Sequence, residues 1–87
     1  MPTFVLAALI LQVAAMDDPA ARHETCLRLV GENAELAYEE ALTWRHQGGG
    51  WPAEHCVSLA LIALDQAEAG AARLRAAAEG AITATDA

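Results

Sequence analysis

The sequence predicts an all-α protein built from two antiparallel helix hairpins. Three observations carry that reading. No stretch alternates apolar and polar residues over the length of a strand, whereas apolar residues recur at spacings of three and four. Alanine, the strongest helix former, occupies 22 of the 87 positions. Helix punctuation divides residues 18–80 into four segments with turns too short for anything but antiparallel neighbours.

Asp18 and Pro19 open the first segment as N-cap and first helical residue. It is expected to run to about Val30, with Gly31 ending it in a left-handed conformation. Asn33 caps the second helix, expected over about 34–47. There Ala34, Ala37, Tyr38, Ala41 and Trp44 share one face, and Gly48-Gly49-Gly50 ends it. Pro52 opens the third helix. Its run from Cys56 to Leu64 is almost wholly apolar, so this helix should be the most buried. Asp65 and Glu68 read as the N-cap and N3 of a capping box. The fourth helix is then expected over about 66–79, ended by Gly80, with 81–87 as a tail.

The chain is one small domain at most, and at 87 residues it lies near the margin at which a core alone suffices. Hydrophobic residues make up 55%, which excludes disorder throughout, and aromatics only 5%, which leaves a thin, close-packed core. The net charge of −7 argues against nucleic acid and against anionic membrane surfaces, both of which require a basic patch.

Residues 4–11 are eight unbroken apolar residues, far short of the roughly 20 that span a bilayer. Two readings stand. The run fits the apolar region of a secretory signal peptide, with Val13-Ala14-Ala15 as a small-residue cleavage site, although Met1-Pro2-Thr3 carries no basic side chain. The protein is then exported, for instance to a periplasm. Alternatively residues 1–15 are retained as a core helix of a cytoplasmic protein.

No catalytic constellation emerges. Glu39 and Glu40 are adjacent on a helix and diverge, so they cannot act as an acid–base pair. Gly48-Gly49-Gly50 lacks the Lys-Ser/Thr of a phosphate loop. The reading is therefore not an enzyme, with no cofactor and no metal. One alternative uses His23, Cys26, His55 and Cys56, which approach one another if the first and third helices are neighbours. They would then make a small metal- or redox-responsive module. Against it, His55 and Cys56 point about 100° apart on a helix, so both can hardly face one ion. Tyr38, Trp44 and Trp51 are the large residues best suited to contact a partner, with Trp51 either exposed after the glycines or folded over the core.

The two hairpins match each other. Glu24, Cys26, Leu27 and Leu29 correspond to Glu54, Cys56, Val57 and Leu59 at an offset of 30. Ala34, Glu35, Ala37, Ala41 and Trp44 correspond to Ala67, Glu68, Gly70, Leu74 and Ala77 at an offset of 33. A two-helix unit of this period is a repeat signature. On these residues the chain resembles the tetratricopeptide repeat family, best over Glu54–Ala77, where Ser58, Leu61, Gly70, Leu74 and Ala77 follow the family's alternation of small and large residues. It departs from the pattern at Glu54, where an early aromatic is usual, at Asp65, where glycine is usual, and after Ala77, where no closing proline follows.

The resemblance implies a short α-solenoid stack and non-catalytic protein–protein interaction, with a protein or peptide as partner. On such a stack Cys26 and Cys56 occupy equivalent positions of neighbouring first helices. In an oxidising compartment they can pair, closing a 30-residue loop worth about 3 kcal/mol. In a cytosol they stay as two buried thiols. Two helix pairs fall short of the three that usually make such arrays stable. A homodimer through the third and fourth helices, or a comparable complex, is the expected remedy, with Leu61 in the core; a longer array of which this chain is part, or a retained apolar run at 1–15 folded over the same face, are the alternatives.

Overall fold

The protein is described by a computed structural model over residues 18–86, with side chains through Gly80. The expected leader or N-terminal helix at 1–15 lies outside the described residues. Four helices follow in order: α1 (Pro19–Glu32), α2 (Ala34–His46), α3 (Gly50–Ala63) and α4 (Ala67–Asp86). No strand occurs among the described residues, so the all-α expectation holds.

Local chemistry sets each boundary, and four expected boundaries need correction. Asp18 caps α1 as expected, its carboxylate accepting the Ala20 N–H at 3.2 Å. Gly31 does not end α1. The helix continues to Glu32, and Asn33 breaks it by turning extended, at φ −157° and ψ 89°. Asn33 serves both helices: its N–H donates to the Leu29 carbonyl at 2.7 Å, and its side chain accepts the Leu36 N–H at 3.1 Å. One residue thus closes α1 and opens α2, which leaves nothing for a left-handed glycine to do.

The end of α2 is a Schellman motif. Gly49 N–H donates to Trp44 O at 2.9 Å and Gly48 N–H to Arg45 O at 3.1 Å, with Gly48 at φ +92°. Gly50, at φ +66°, leads directly into α3, so Trp51 lies in the first helical turn and not in a glycine loop. Pro52 fits that turn because the N–H it lacks would have no helical acceptor.

The end of α3 repeats the motif. Gln66 N–H donates to Leu61 O at 2.8 Å and Asp65 N–H to Ile62 O at 3.1 Å, with Asp65 at φ 64°. Asp65 therefore occupies the left-handed position and is not the N-cap of α4. Finally, α4 passes through Gly80 and includes most of the expected tail. Alanine-rich flanks outweigh the roughly 1 kcal/mol cost of one interior glycine.

The packing is a stack. α1 rests on α2 and α3, α2 on α3, and α3 on α4, while neither α1 nor α2 packs on α4 among the described residues. α3 is thus the central element and contributes Ala53, Cys56, Val57, Ser58, Ala60 and Leu61 to the interior. Cys26, Ala37, Ala41, Trp44 and Ala77 complete the core. Most of these side chains are small, so burial yields little per residue against the roughly 1.5–3 kcal/mol of a large apolar side chain.

The two helices of the second hairpin meet at very short range. A Cβ added to Gly70 would lie 2.6 Å from Ile62 Cγ1 and 2.8 Å from the Ser58 carbonyl oxygen. Ser58 is fully buried and its hydroxyl donates to the Glu54 carbonyl at 2.7 Å, so the small polar side chain carries no unpaired group into the interface.

Candidate interaction surface

The seam between α1 and α3 gathers the residues singled out in the sequence. Cys26 and Cys56 are joined as a disulfide, with Cα atoms 6.2 Å apart, and both are buried. One turn toward the N-terminus of α1, His23 meets His55 of α3, with Nε2 and Nδ1 2.9 Å apart. The four side chains therefore form two separate pairs, sulfur with sulfur and imidazole with imidazole. Metal ligation by cysteine needs a thiolate, and both sulfurs here are committed to each other.

Aromatic rings surround His23. Trp51 stands edge-on at 5.9 Å between centroids, and Trp44 is tilted at 6.3 Å. Burial, and secondarily the charge of His55, lowers the pKa of His23 below its usual value. Of the three residues expected to contact a partner, Trp51 is 44% exposed, whereas Trp44 is only 6% exposed and belongs to the core. Tyr38 is half-buried against the core cluster.

A groove of about 260 Å³ runs between α1 and α2. Leu29 and Leu36 form its apolar walls, Trp44 and Cys26 its base, and Arg22 and Glu40 its polar edge. The Arg22 guanidinium lies 5.1 Å over the Trp44 ring and donates to Gln47 at 3.2 Å. Leu36 is 41% exposed, so this face is open.

Among the described residues the far side of the stack is open too. α4 buries Gly70 and Ala77, half-buries Arg73 and Leu74, and leaves Ala71, Ala72, Ala76 and Ala78 exposed. α3 is not covered all round: Ile62 is 39% exposed, and Leu59 and Leu64 are half-buried.

Sequence reasoning missed Glu54. Its carboxylate receives Arg45 Nε at 2.7 Å and Arg73 NH1 at 3.1 Å, so it ties α2 and α4 to α3. This explains a charged residue at a position where the family resemblance leads one to expect an aromatic. Arg45 and Arg73 are nine and nineteen residues away, beyond any helical spacing, so no local signal could have found the group.

Among the described residues no helix is long and apolar enough to cross a membrane. No protein-family model matches the chain, and no curated protein or solved structure does so either.

Proposed function

We propose that the protein is a non-catalytic interaction module of the tetratricopeptide repeat type, acting on a protein partner. The observation that carries this reading is the uncovered side of the stack. α4 is packed only by α3 among the described residues, and the rest of its surface is alanine interspersed with charge. Small side chains allow a second helix to approach closely, and the exposed Ile62 supplies an apolar contact. The stacking order supports the repeat reading, because first helix lies beside first helix while the second helices stay apart. Ser58 and Gly70, the two small residues of the repeat pattern, sit where the helices of the second hairpin touch.

The first partner is a second copy of the chain, joined through α3 and α4. The disulfide supports action in an oxidising compartment, since such bonds persist there and not in a reducing cytosol. An exported protein of this kind fits the leader reading of residues 1–15.

Sedimentation of the oxidised protein at micromolar concentration tests the proposal. A dimer is expected, and Ala76→Glu on the exposed face should return it to a folded monomer. Leu61→Glu, at a buried position, should instead unfold the chain. A stable wild-type monomer, or a dimer indifferent to Ala76→Glu, would overturn the dimer assignment.

A further inference from the structure

We propose that a dithiol opens the Cys26–Cys56 bond in the folded chain, reaching Cys26 through the groove between α1 and α2. The sequence sets the two cysteines in matching positions, and the structure makes them unequal. Cys56 is 0% exposed, enclosed on α3, the central element of the stack. Cys26 keeps 6% exposure and lies at the base of the groove of about 260 Å³, whose wall carries the exposed Leu36. Which sulfur a thiolate attacks is decided in large part by access, so Cys26 is the electrophile and Cys56 the leaving group.

The direction of approach agrees. A thiolate attacks in line with the bond it breaks, from the side away from the leaving sulfur. The leaving sulfur belongs to α3. The groove is walled by α1 and α2, and among the described residues α3 contributes nothing to it. It therefore reaches Cys26 from a side that α3 does not occupy, as in-line attack requires. The walls at Leu29 and Leu36 are apolar, so the fitting occupant is a cysteine with apolar neighbours, carried by a dithiol protein.

The exchange takes two steps. The partner's first thiolate bonds to Cys26 Sγ as the bond between the two sulfurs breaks. Cys56 leaves with the electron pair and takes up a proton. The partner's second thiolate then bonds to its own first sulfur and releases Cys26, which is protonated in turn. The chain ends with two thiols and the partner with one disulfide, a transfer of two electrons and two protons. The covalent tie between the hairpins is thereby removed without either hairpin unfolding first.

The test treats the oxidised chain with reduced glutathione and fixes the products with N-ethylmaleimide. Cleavage after Arg28 and Arg45 puts the two cysteines on separate peptides for mass analysis. Glutathione should be found on Cys26 and N-ethylmaleimide on Cys56, by about tenfold or more over the reverse. The initial rate should stay flat across low denaturant, whereas exchange through global unfolding would climb with it. Leu36→Trp, which narrows the groove, should slow the reaction about tenfold, and His46→Trp, exposed on α2 outside the groove, should leave it unchanged. Circular dichroism verifies that both variants are folded. Dithiothreitol should carry the folded chain on to two free thiols. Glutathione on Cys56, or equally on both cysteines, would overturn the proposal. So would a rate that climbs in step with unfolding, one that ignores Leu36→Trp or falls equally with His46→Trp, or a folded chain that neither thiol reagent opens.

Discussion

The two hairpins solve the same packing problem with different residues. In α1–α2 the helices are joined by one residue, Asn33, and the buried position Ala37 accommodates a methyl group. In α3–α4 the connection is a two-bond Schellman turn through left-handed Asp65. The position matching Ala37 is Gly70, where a methyl would strike the Ser58 carbonyl. The first hairpin is spaced by side chains and the second by backbone. Repeat symmetry in the sequence therefore fixes which residues face each other, and it leaves open how closely they approach.

The largest effect should come from the bond that joins the hairpins to each other. Replacing both Cys26 and Cys56 by alanine removes the closure of a 30-residue loop, worth about 3 kcal/mol. In denaturant melts this should show as a large drop in midpoint. With so many core side chains no bigger than alanine or valine, little else compensates. An unchanged midpoint would mean that the seam contributes nothing to the stack.

The next effect distinguishes the hairpins. Gly70→Ala should destabilise by about 2 kcal/mol, since overpacking against backbone outweighs the roughly 1 kcal/mol of helix propensity gained. Ala37→Gly should also destabilise, by about 1–2 kcal/mol, through lost propensity and a lost buried methyl. If Gly70→Ala proved stabilising in thermal melts, the two hairpins would be equivalent after all.

The two Schellman turns give a smaller pair of opposite signs. Gly48→Ala forces a side chain into φ +92° and should cost about 1 kcal/mol. Asp65→Gly relieves φ 64° and should gain a few tenths to about 1 kcal/mol.

The smallest effect is on pH. The pKa of His23 is lowered in the folded chain, so the unfolded chain binds its proton more readily. Stability from this group is fully present above the unfolded value of about 6.5 and is lost as pH falls below it. His23→Gln should flatten the loss of stability expected in melts as pH falls below about 6.5.

Much of this was legible because it is periodic. The offset of 30 that aligns Cys26 with Cys56 also places the disulfide, and the small residues Ser58 and Gly70 mark the closest helix contact. What stayed hidden depends on choices that sequence leaves degenerate. Aspartate favours both an N-cap and a left-handed C-terminal turn, so Asp65 read as the first and is the second. A single glycine is a weak stop, so Gly31 stays in α1 until Asn33 breaks it and Gly80 lies inside the alanine-rich α4. Trp44 read as a partner contact because aromatics serve either role, and the meeting of α1 with α2 and α3 decides for the core. Glu54 pairs with arginines on two other helices, a relation only the assembled stack creates.

In the proposed dimer α4, open among the described residues, is the surface on which a second chain docks. Amide hydrogen exchange of the oxidised protein, followed from nanomolar to high micromolar concentration, tests it directly. α4, supported by α3 alone among the described residues, should exchange fastest at low concentration and gain protection as concentration rises, while α1 and α2 stay constant. Exchange of α4 that is independent of concentration, or protection gained on α1 and α2 in its place, would rule out docking through α4.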